Sequence, residues 1–402
     1  MLQVHNLTVK FLSGKVENEV VKKISFDLKE NKILGIVGES GSGKSVTSLA
    51  VLGLLPKNTI QEGTIFFDEK NLLKISDKEF QQIRGNKIAM IFQEPMSSLN
   101  PTLTCGSQVA EVLKQHTGLN KKEMYQEVIS LFQKVKLPLP DRIFNSYPHQ
   151  ISGGQKQRVM IAIAIACKPD LLIADEPTTA LDVTVQKEII LLLKELQKEN
   201  KMSILLISHD LSLVSEIADD VIILFKGEIV EKGNTTDIFH SPQHDYTKGL
   251  INSKPNLNQR LKKLPTVEDF IKNKIFTDVY TKRERDAYHS KIYRLKPLLE
   301  IVDLKKYFNT SVRFTRKPLI KAVDTISFKL YEGETLGLVG ESGCGKTTLG
   351  RSIMQLEKVT SGKIFYKGKD ITHLSKTALR NLRKEIQIIF QDPFSSLNPR
   401  IS

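Results

Sequence analysis

Short runs of apolar residues, rather than strict alternation, set the rhythm of the first 230 positions. Ile33-Leu-Gly-Ile-Val37, Lys87-Ile-Ala-Met-Ile-Phe92, Leu171-Leu-Ile-Ala174 and Ser203-Ile-Leu-Leu-Ile-Ser208 are each too short for a helix and each ends in polar residues. Such runs predict strands buried on both faces. Helical spacing fills the gaps between them. Val46, Leu49, Ala50 and Leu54 share one side of a segment that starts at Lys44 and stops by Pro56. Residues 105–135 predict helices, and further helical patterns cover Val159–Cys167 and the stretch from Asp182 to residue 199. Strands alternating with helices imply an α/β fold around a mainly parallel sheet. Leu2–Phe11 and Val20–Leu28 alternate well enough for strands outside that sheet, and Val221–Phe225 with Gly227–Val230 predicts a hairpin.

The pattern restarts. Phe11 matches Phe308, Lys44 matches Lys346 and Gln93 matches Gln391, at separations of 297, 302 and 298 positions. An internal repeat follows, with a first domain over 1–250, a Lys-rich linker or extension over 251–297, and the N-terminal part of a second copy over 298–402. Each copy carries one glycine-rich loop between a predicted strand and a predicted helix. The first is Gly38-Glu39-Ser40-Gly41-Ser42-Gly43-Lys44-Ser45 and the second is Gly340-Glu341-Ser342-Gly343-Cys344-Gly345-Lys346-Thr347. That context marks a phosphate loop: backbone N–H groups and a helix N-terminus converge on one anion. Lys44 and Lys346 are expected to reach the β/γ-phosphates of a nucleotide, with Ser45 and Thr347 holding Mg²⁺. A chance lysine in a glycine turn does not explain two copies in matching contexts.

Composition narrows the class. Apolar content of 40% and charged content of 26% fit a globular protein, and no apolar run approaches a bilayer span. The opening Met1-Leu-Gln-Val-His-Asn lacks a charged n-region and an apolar core, so no export is expected. Cys105, Cys167 and Cys344 form no metal spacing, which predicts a reducing compartment. Net charge is +14, and residues 251–300 hold twelve Lys/Arg against six Asp/Glu. A solvated linker, a nucleic acid or an anionic surface all fit that surplus.

Candidate chemistry clusters where the predicted strands end. Asp175 is expected to orient Mg²⁺ and Glu176 to act as general base on the attacking water. His209 and Gln93 occupy the C-terminal edges of neighbouring strands, where ligands bind in such sheets. His209 is expected to donate to the γ-phosphate, and Gln93 to sense both the metal and the water. Ser152-Gly153-Gly154-Gln155 opens a helix and predicts a second anion site; a plain helix cap would need neither the double glycine nor the trailing Gln-Lys-Gln-Arg158.

In this order these motifs resemble the ATP-binding cassette (ABC) ATPases. Ile91-Phe-Gln-Glu-Pro-Met-Ser-Ser-Leu-Asn-Pro101, Tyr147–Arg158 and His244-Asp-Tyr-Thr-Lys-Gly-Leu250 resemble the peptide, nickel and glutathione importer branch in its tandem form. Small departures occur, such as Ile151 for the usual leucine and Asp245 for proline. The resemblance implies a P-loop fold with an antiparallel β subdomain and an α-helical subdomain, an incomplete second copy, and ATP clamped between one phosphate loop and another cassette's Ser-Gly-Gly-Gln. It places Asp182 at the dimer seam and Phe11 and Phe308 (or Tyr307) against adenine. It also implies permease partners at the cytoplasmic face of the inner membrane and, indirectly, an extracytoplasmic solute-binding protein. Some relatives hold an iron–sulfur cluster after the first ATPase domain. Residues 241–300 contain no cysteine, so none is expected.

Only 11 residues follow Gln391, so the second copy has no Ser-Gly-Gly-Gln, no Asp-Glu strand and no switch histidine within this chain. Neither sandwich is complete in one molecule, and a homodimer or a complementing cassette is expected to supply the rest. ATP is expected at Lys44, with weaker or no stable binding at Lys346, and the chain is expected to be a fragment of a longer product. The alternatives are a soluble tandem ATPase acting on ribosomes or nucleic acid, and an inactive remnant. No nucleic acid is expected, because the basic stretch lacks both a long helical hairpin and interleaved aromatics.

Overall fold

A computed structural model describes the chain except residues 15, 94–97, 180, 254–259, 273, 275, 310–318, 342 and 391–402. It divides into two compact units, Met1–Val279 and Tyr280–Ser402.

The first unit is built on a six-stranded sheet. Strands β1 (Leu2–Ser13), β2 (Val16–Leu28), β4 (Thr59–Phe67) and β5 (Lys70–Asn71) form a separate antiparallel sheet in the order β2-β1-β4-β5. The core sheet takes β3 (Ile33–Val37), β6 (Ile88–Ile91), β7 (Leu171–Asp175), β8 (Ser203–Ser208), β9 (Asp220–Phe225) and β10 (Glu228–Asn234) in the order β10-β9-β3-β8-β7-β6. Its pairings are parallel except at the β9–β10 hairpin. Every residue of β3, β7 and β8 is buried, as continuous apolar runs require.

The period-two alternation of side chains then divides the core in two. Val37, Ile91, Leu172, Ile204 and Val221 face a cluster with the helices Cys105–His116, Lys121–Lys134, Gly153–Ile165 and Val183–Asn200. Ile36, Ile88, Ile173, Leu205 and Ile222 face the antiparallel sheet and the helix Lys44–Val51. One sheet is thus covered on both faces, and its C-terminal edge is left to the loops that follow β3, β6, β7 and β8.

The stretch 251–297 divides between the units. Helix Val267–Ile271 packs on helix Asp245–Asn252, where a Cβ on Gly249 would lie 3.2 Å from both Val267 and Phe270. Helix Lys282–Ile292 belongs to the second unit, where Tyr288 donates to the Gly333 carbonyl.

The second unit repeats the antiparallel sheet as β11 (Leu299–Asn309), β12 (Leu319–Leu330), β13 (Ser361–Tyr366) and β14 (Lys369–Asp370), in the order β12-β11-β13-β14. One expectation fails here. Leu336–Val339, the counterpart of β3, forms no strand, and Leu336, Leu338 and Val339 are exposed. In the first unit β3 is held by β8 and β9, and among the described residues of the second unit no strand plays either part. A central parallel strand without neighbours has no partners for its backbone groups.

Candidate functional site

The loop between β3 and helix Lys44–Val51 has a backbone that only glycine supports at two points. Gly41 has φ 82° and Gly43 has φ 102°. At Gly38 a Cβ would lie 2.2 Å from the Leu224 carbonyl oxygen, so the loop packs against β9 with no room for a side chain. Gly43 is the N-cap of its helix and offers no side-chain acceptor. The helix N-terminal N–H groups are therefore left for an external anion. Lys44 is 5% exposed, and Nζ donates to the carbonyls of Gly38 (2.9 Å) and Glu39 (2.8 Å). Burial pushes its ammonium below the ordinary lysine value, against the pull of Glu176, Asp175 and Glu39. Ser42 Oγ is buried without a partner among the described residues. A cradle of glycines, a desolvated lysine, an uncapped helix and an orphaned hydroxyl fit a phosphate group.

Three adjacent parallel strands bring the remaining groups together. Ser45 Oγ donates to Asp175 Oδ1 at 3.1 Å. Burial raises the Asp175 carboxyl above its usual range; the Ser45 hydrogen bond and Lys44 oppose this, and Glu176 adds to it. This hydroxyl and carboxylate are hard oxygen donors of the kind Mg²⁺ takes beside substrate phosphates. Glu176 follows at the end of β7 with φ 45°, its N–H donating to the Ile207 carbonyl of β8. Gln93 Nε2 (3.0 Å), Thr179 Oγ1 (3.0 Å) and His209 Nδ1 (3.2 Å) all meet its Oε2. Among the described residues Oε1 takes no side-chain partner. Gln93, Asp175, Glu176 and His209 are thus brought together, with Ser45 and Lys44 beside them. Thr179 went unremarked in the sequence; its place three residues after Glu176 was the available signal.

Other candidates lie apart from that cluster. Ser152 accepts from the Gln155 N–H (3.3 Å) while Gln155 Oε1 accepts from the Ser152 N–H (3.0 Å), a complete capping box on helix Gly153–Ile165. Ser152 and Gly153 are exposed. Asp182 caps helix Val183–Asn200 by accepting from the Val185 N–H at 3.0 Å. Phe11 is half-buried against the core beneath the antiparallel sheet.

In the second unit the described glycines and the lysine of the loop repeat the first. Gly343 has φ 81° and Gly345 has φ 101°, and Lys346 Nζ donates to the carbonyls of Gly340 and Glu341 at 2.6 Å each. Cys344 Sγ lies 3.6 Å from that ammonium. Thr347 is exposed and Phe308 is 37% exposed beneath the Lys306 ammonium. Ser342 and Gln391 lie outside the described residues.

The ABC transporter family model matches residues 21–179 and 323–402, more than half of the chain. The chain belongs to the ABC transporter family. A second model, for the oligopeptide/dipeptide transporter C-terminal region, matches residues 230–273. The chain is 42% identical to the glutathione import ATP-binding protein GsiA of Escherichia coli K12 over 415 residues. The GsiA proteins of Shigella boydii serotype 4 and Salmonella paratyphi A are also 42% identical, over 415 and 412 residues. The alignments take in 100% of this chain but 65% of those proteins, so the chain spans about two-thirds of their length. Among solved structures, the ATP-binding cassette MJ0796 bound to ADP and Pi superposes with a TM-score of 0.53 at 30% identity, covering 58% of this chain and 99% of that one. CbiO1 of Clostridium perfringens, part of the ABC transporter complex cbiONQ, gives 0.51 at 27% identity, covering 60% and 90%. The first unit therefore has the ABC ATPase fold, and ABC family membership carries ATP binding with it. Among the described residues no helix is long and apolar enough to cross a membrane.

Proposed function

We propose that the chain is the ATP-hydrolysing, energy-coupling part of an importer for glutathione or short peptides, working through the site in its first unit. The observation that carries the reading is the convergence of Gln93, Thr179 and His209 on one oxygen of Glu176 beside the Ser45–Asp175 pair. A carboxylate held at one oxygen by three side chains leaves the other to take a proton from water, the task of a general base. Lys44 and the uncapped helix bind and neutralise the phosphates. Ser45, Asp175 and Gln93 would hold Mg²⁺, whose charge offsets that of the β- and γ-phosphates. The solute class follows the relatives' names and the match over residues 230–273. Permease subunits at the cytoplasmic membrane face, and a solute-binding protein beyond them, are the partners such a part requires.

Among the described residues no hydrogen bond joins Ser152 or Gln155 to the Glu176 cluster of the same unit. We assign the closed, hydrolysing state to two first units from separate chains, or to one with a complementing cassette, in which Ser152 turns its hydroxyl from its own helix to the facing nucleotide. Binding of a fluorescent ATP analogue with Mg²⁺, compared in wild type, Lys44→Ala and Glu176→Gln, tests the reading. Loss of binding in the first variant and retained binding without turnover in the second support it. Equal turnover in all three refutes it.

A further inference from the structure

We infer that Tyr246 is a positioning residue for the phosphate loop: its hydroxyl holds the Gly38–Glu39 peptide in place when Lys44 turns to a bound nucleotide. The inference rests on the site reading above and adds a residue to it. Tyr246 lies on helix Asp245–Asn252, some 207 positions from the loop, and is fully buried. Its hydroxyl accepts the Glu39 backbone N–H at 3.0 Å. Its ring lies 4.1 Å from that of Phe225 at the end of β9, the strand whose Leu224 carbonyl confines Gly38.

The Gly38–Glu39 peptide group is therefore gripped at both ends. Tyr246 takes the Glu39 N–H, and Lys44 takes the Gly38 carbonyl oxygen at 2.9 Å and the next carbonyl, of Glu39, at 2.8 Å. The two grips differ in permanence. An ammonium that turns N–H groups to the β/γ-phosphates has fewer left for its carbonyl partners, whereas the phenol is fixed by a buried ring and stays. In the nucleotide-bound state Tyr246 is the side chain whose hold on this turn does not weaken. Removing the hydroxyl should therefore weaken the bound loop more than the free loop, and appear as lost affinity rather than lost fold. Tyr246 also lies in the segment matched by the oligopeptide/dipeptide transporter model. The segment after the hairpin thereby gains a direct hold on the nucleotide site.

The test is Tyr246→Phe in the full chain, which keeps the ring on Phe225 and removes one acceptor. The dissociation constant for a fluorescent ATP analogue with Mg²⁺ is expected to rise about fivefold, the scale of one hydrogen bond that counts for more in the bound loop than in the free one. The nucleotide-free melting temperature should stay near that of wild type, and kcat at saturating ATP should change less than KM. Wild-type affinity in Tyr246→Phe, alongside weakened binding in Lys44→Ala, overturns this inference alone. Full affinity in Lys44→Ala overturns the site reading beneath it. Hydrogen exchange on the wild-type chain gives an answer without any variant. The Glu39 amide should stay protected when Mg·ATP is added, and loss of that protection overturns the inference.

Discussion

Ser45 donates its hydroxyl proton to Asp175 across 3.1 Å, joining two residues 130 positions apart. The bond ties the first turn of the phosphate-loop helix to the end of β7, and it sets two oxygen donors side by side. It also leaves a carboxylate 3% exposed, so the site keeps a charge that the fold alone does not favour.

That tension is measurable. Burial holds the Asp175 pKa above the ordinary 3.8, so the ionised form is disfavoured in the folded chain relative to the unfolded one. The resulting penalty on stability is complete above the raised value and disappears as pH falls through it towards 3.8. Asp175→Asn keeps an acceptor for Ser45 and removes the charge. It should raise the nucleotide-free melting temperature at neutral pH, with the gain shrinking as the pH is lowered, while Mg²⁺-dependent turnover is lost. Scanning calorimetry at several pH values checks this; a variant that melts lower than wild type at neutral pH contradicts it.

The three contacts on Glu176 Oε2 predict a graded series. Glu176→Gln removes the base and should lower kcat by about 10²- to 10⁴-fold with ATP binding retained. His209→Ala and Gln93→Ala leave the carboxylate in place but release it. Each should lower kcat by less than Glu176→Gln does, with KM nearly unchanged. Steady-state kinetics on the set would expose an error if either variant matched wild type.

Lys44 and Lys346 follow glycines with matching φ values and hold matching carbonyls, yet the first is buried beside Asp175 and Glu176 while the second is half-exposed. Lys346→Ala should therefore leave turnover at the wild-type level, and Lys44→Ala should abolish it. Matching losses in the two variants would place working chemistry in the second unit and refute the assignment.

Exposure of Leu336, Leu338 and Val339 separates the units in stability. Apolar segments outside any sheet open easily to proteases and to other chains. Limited proteolysis should leave a resistant product covering about residues 1–279 and degrade the rest. Gel electrophoresis with mass spectrometry gives the answer, and equal resistance of both units is the contrary result.

Much of the site was legible because its residues follow apolar strands. A run such as Leu171–Ala174 can only be a buried strand in this setting, and parallel strands end at one edge, so Asp175, Glu176, Gln93 and His209 had to be neighbours. The phosphate loops were legible from glycine spacing, because φ values of 82° and 102° exclude most other residues. Tyr246 was not legible. It stands in the stretch His244–Leu250, but no periodicity links it to Glu39, and its place depends on how helix Asp245–Asn252 packs. The counterpart of β3 in the second unit misled for a related reason. Leu336–Val339 has the composition of a strand, and pairing, which a local pattern does not contain, decides whether it forms one. Strands β4 and β5 were also unforeseen; Gly63, with φ 97°, interrupts the alternation of β4.

The central claim is that the first unit holds one hydrolytic half-site, which a facing cassette's Ser-Gly-Gly-Gln closes and its own Ser152 does not. The ATPase rate per chain, followed across a wide range of protein concentration, tests this most directly. It should be very low in dilute solution, rise as chains pair, and be suppressed when Glu176→Gln chains are mixed in. A high rate per chain that stays constant on dilution would contradict it.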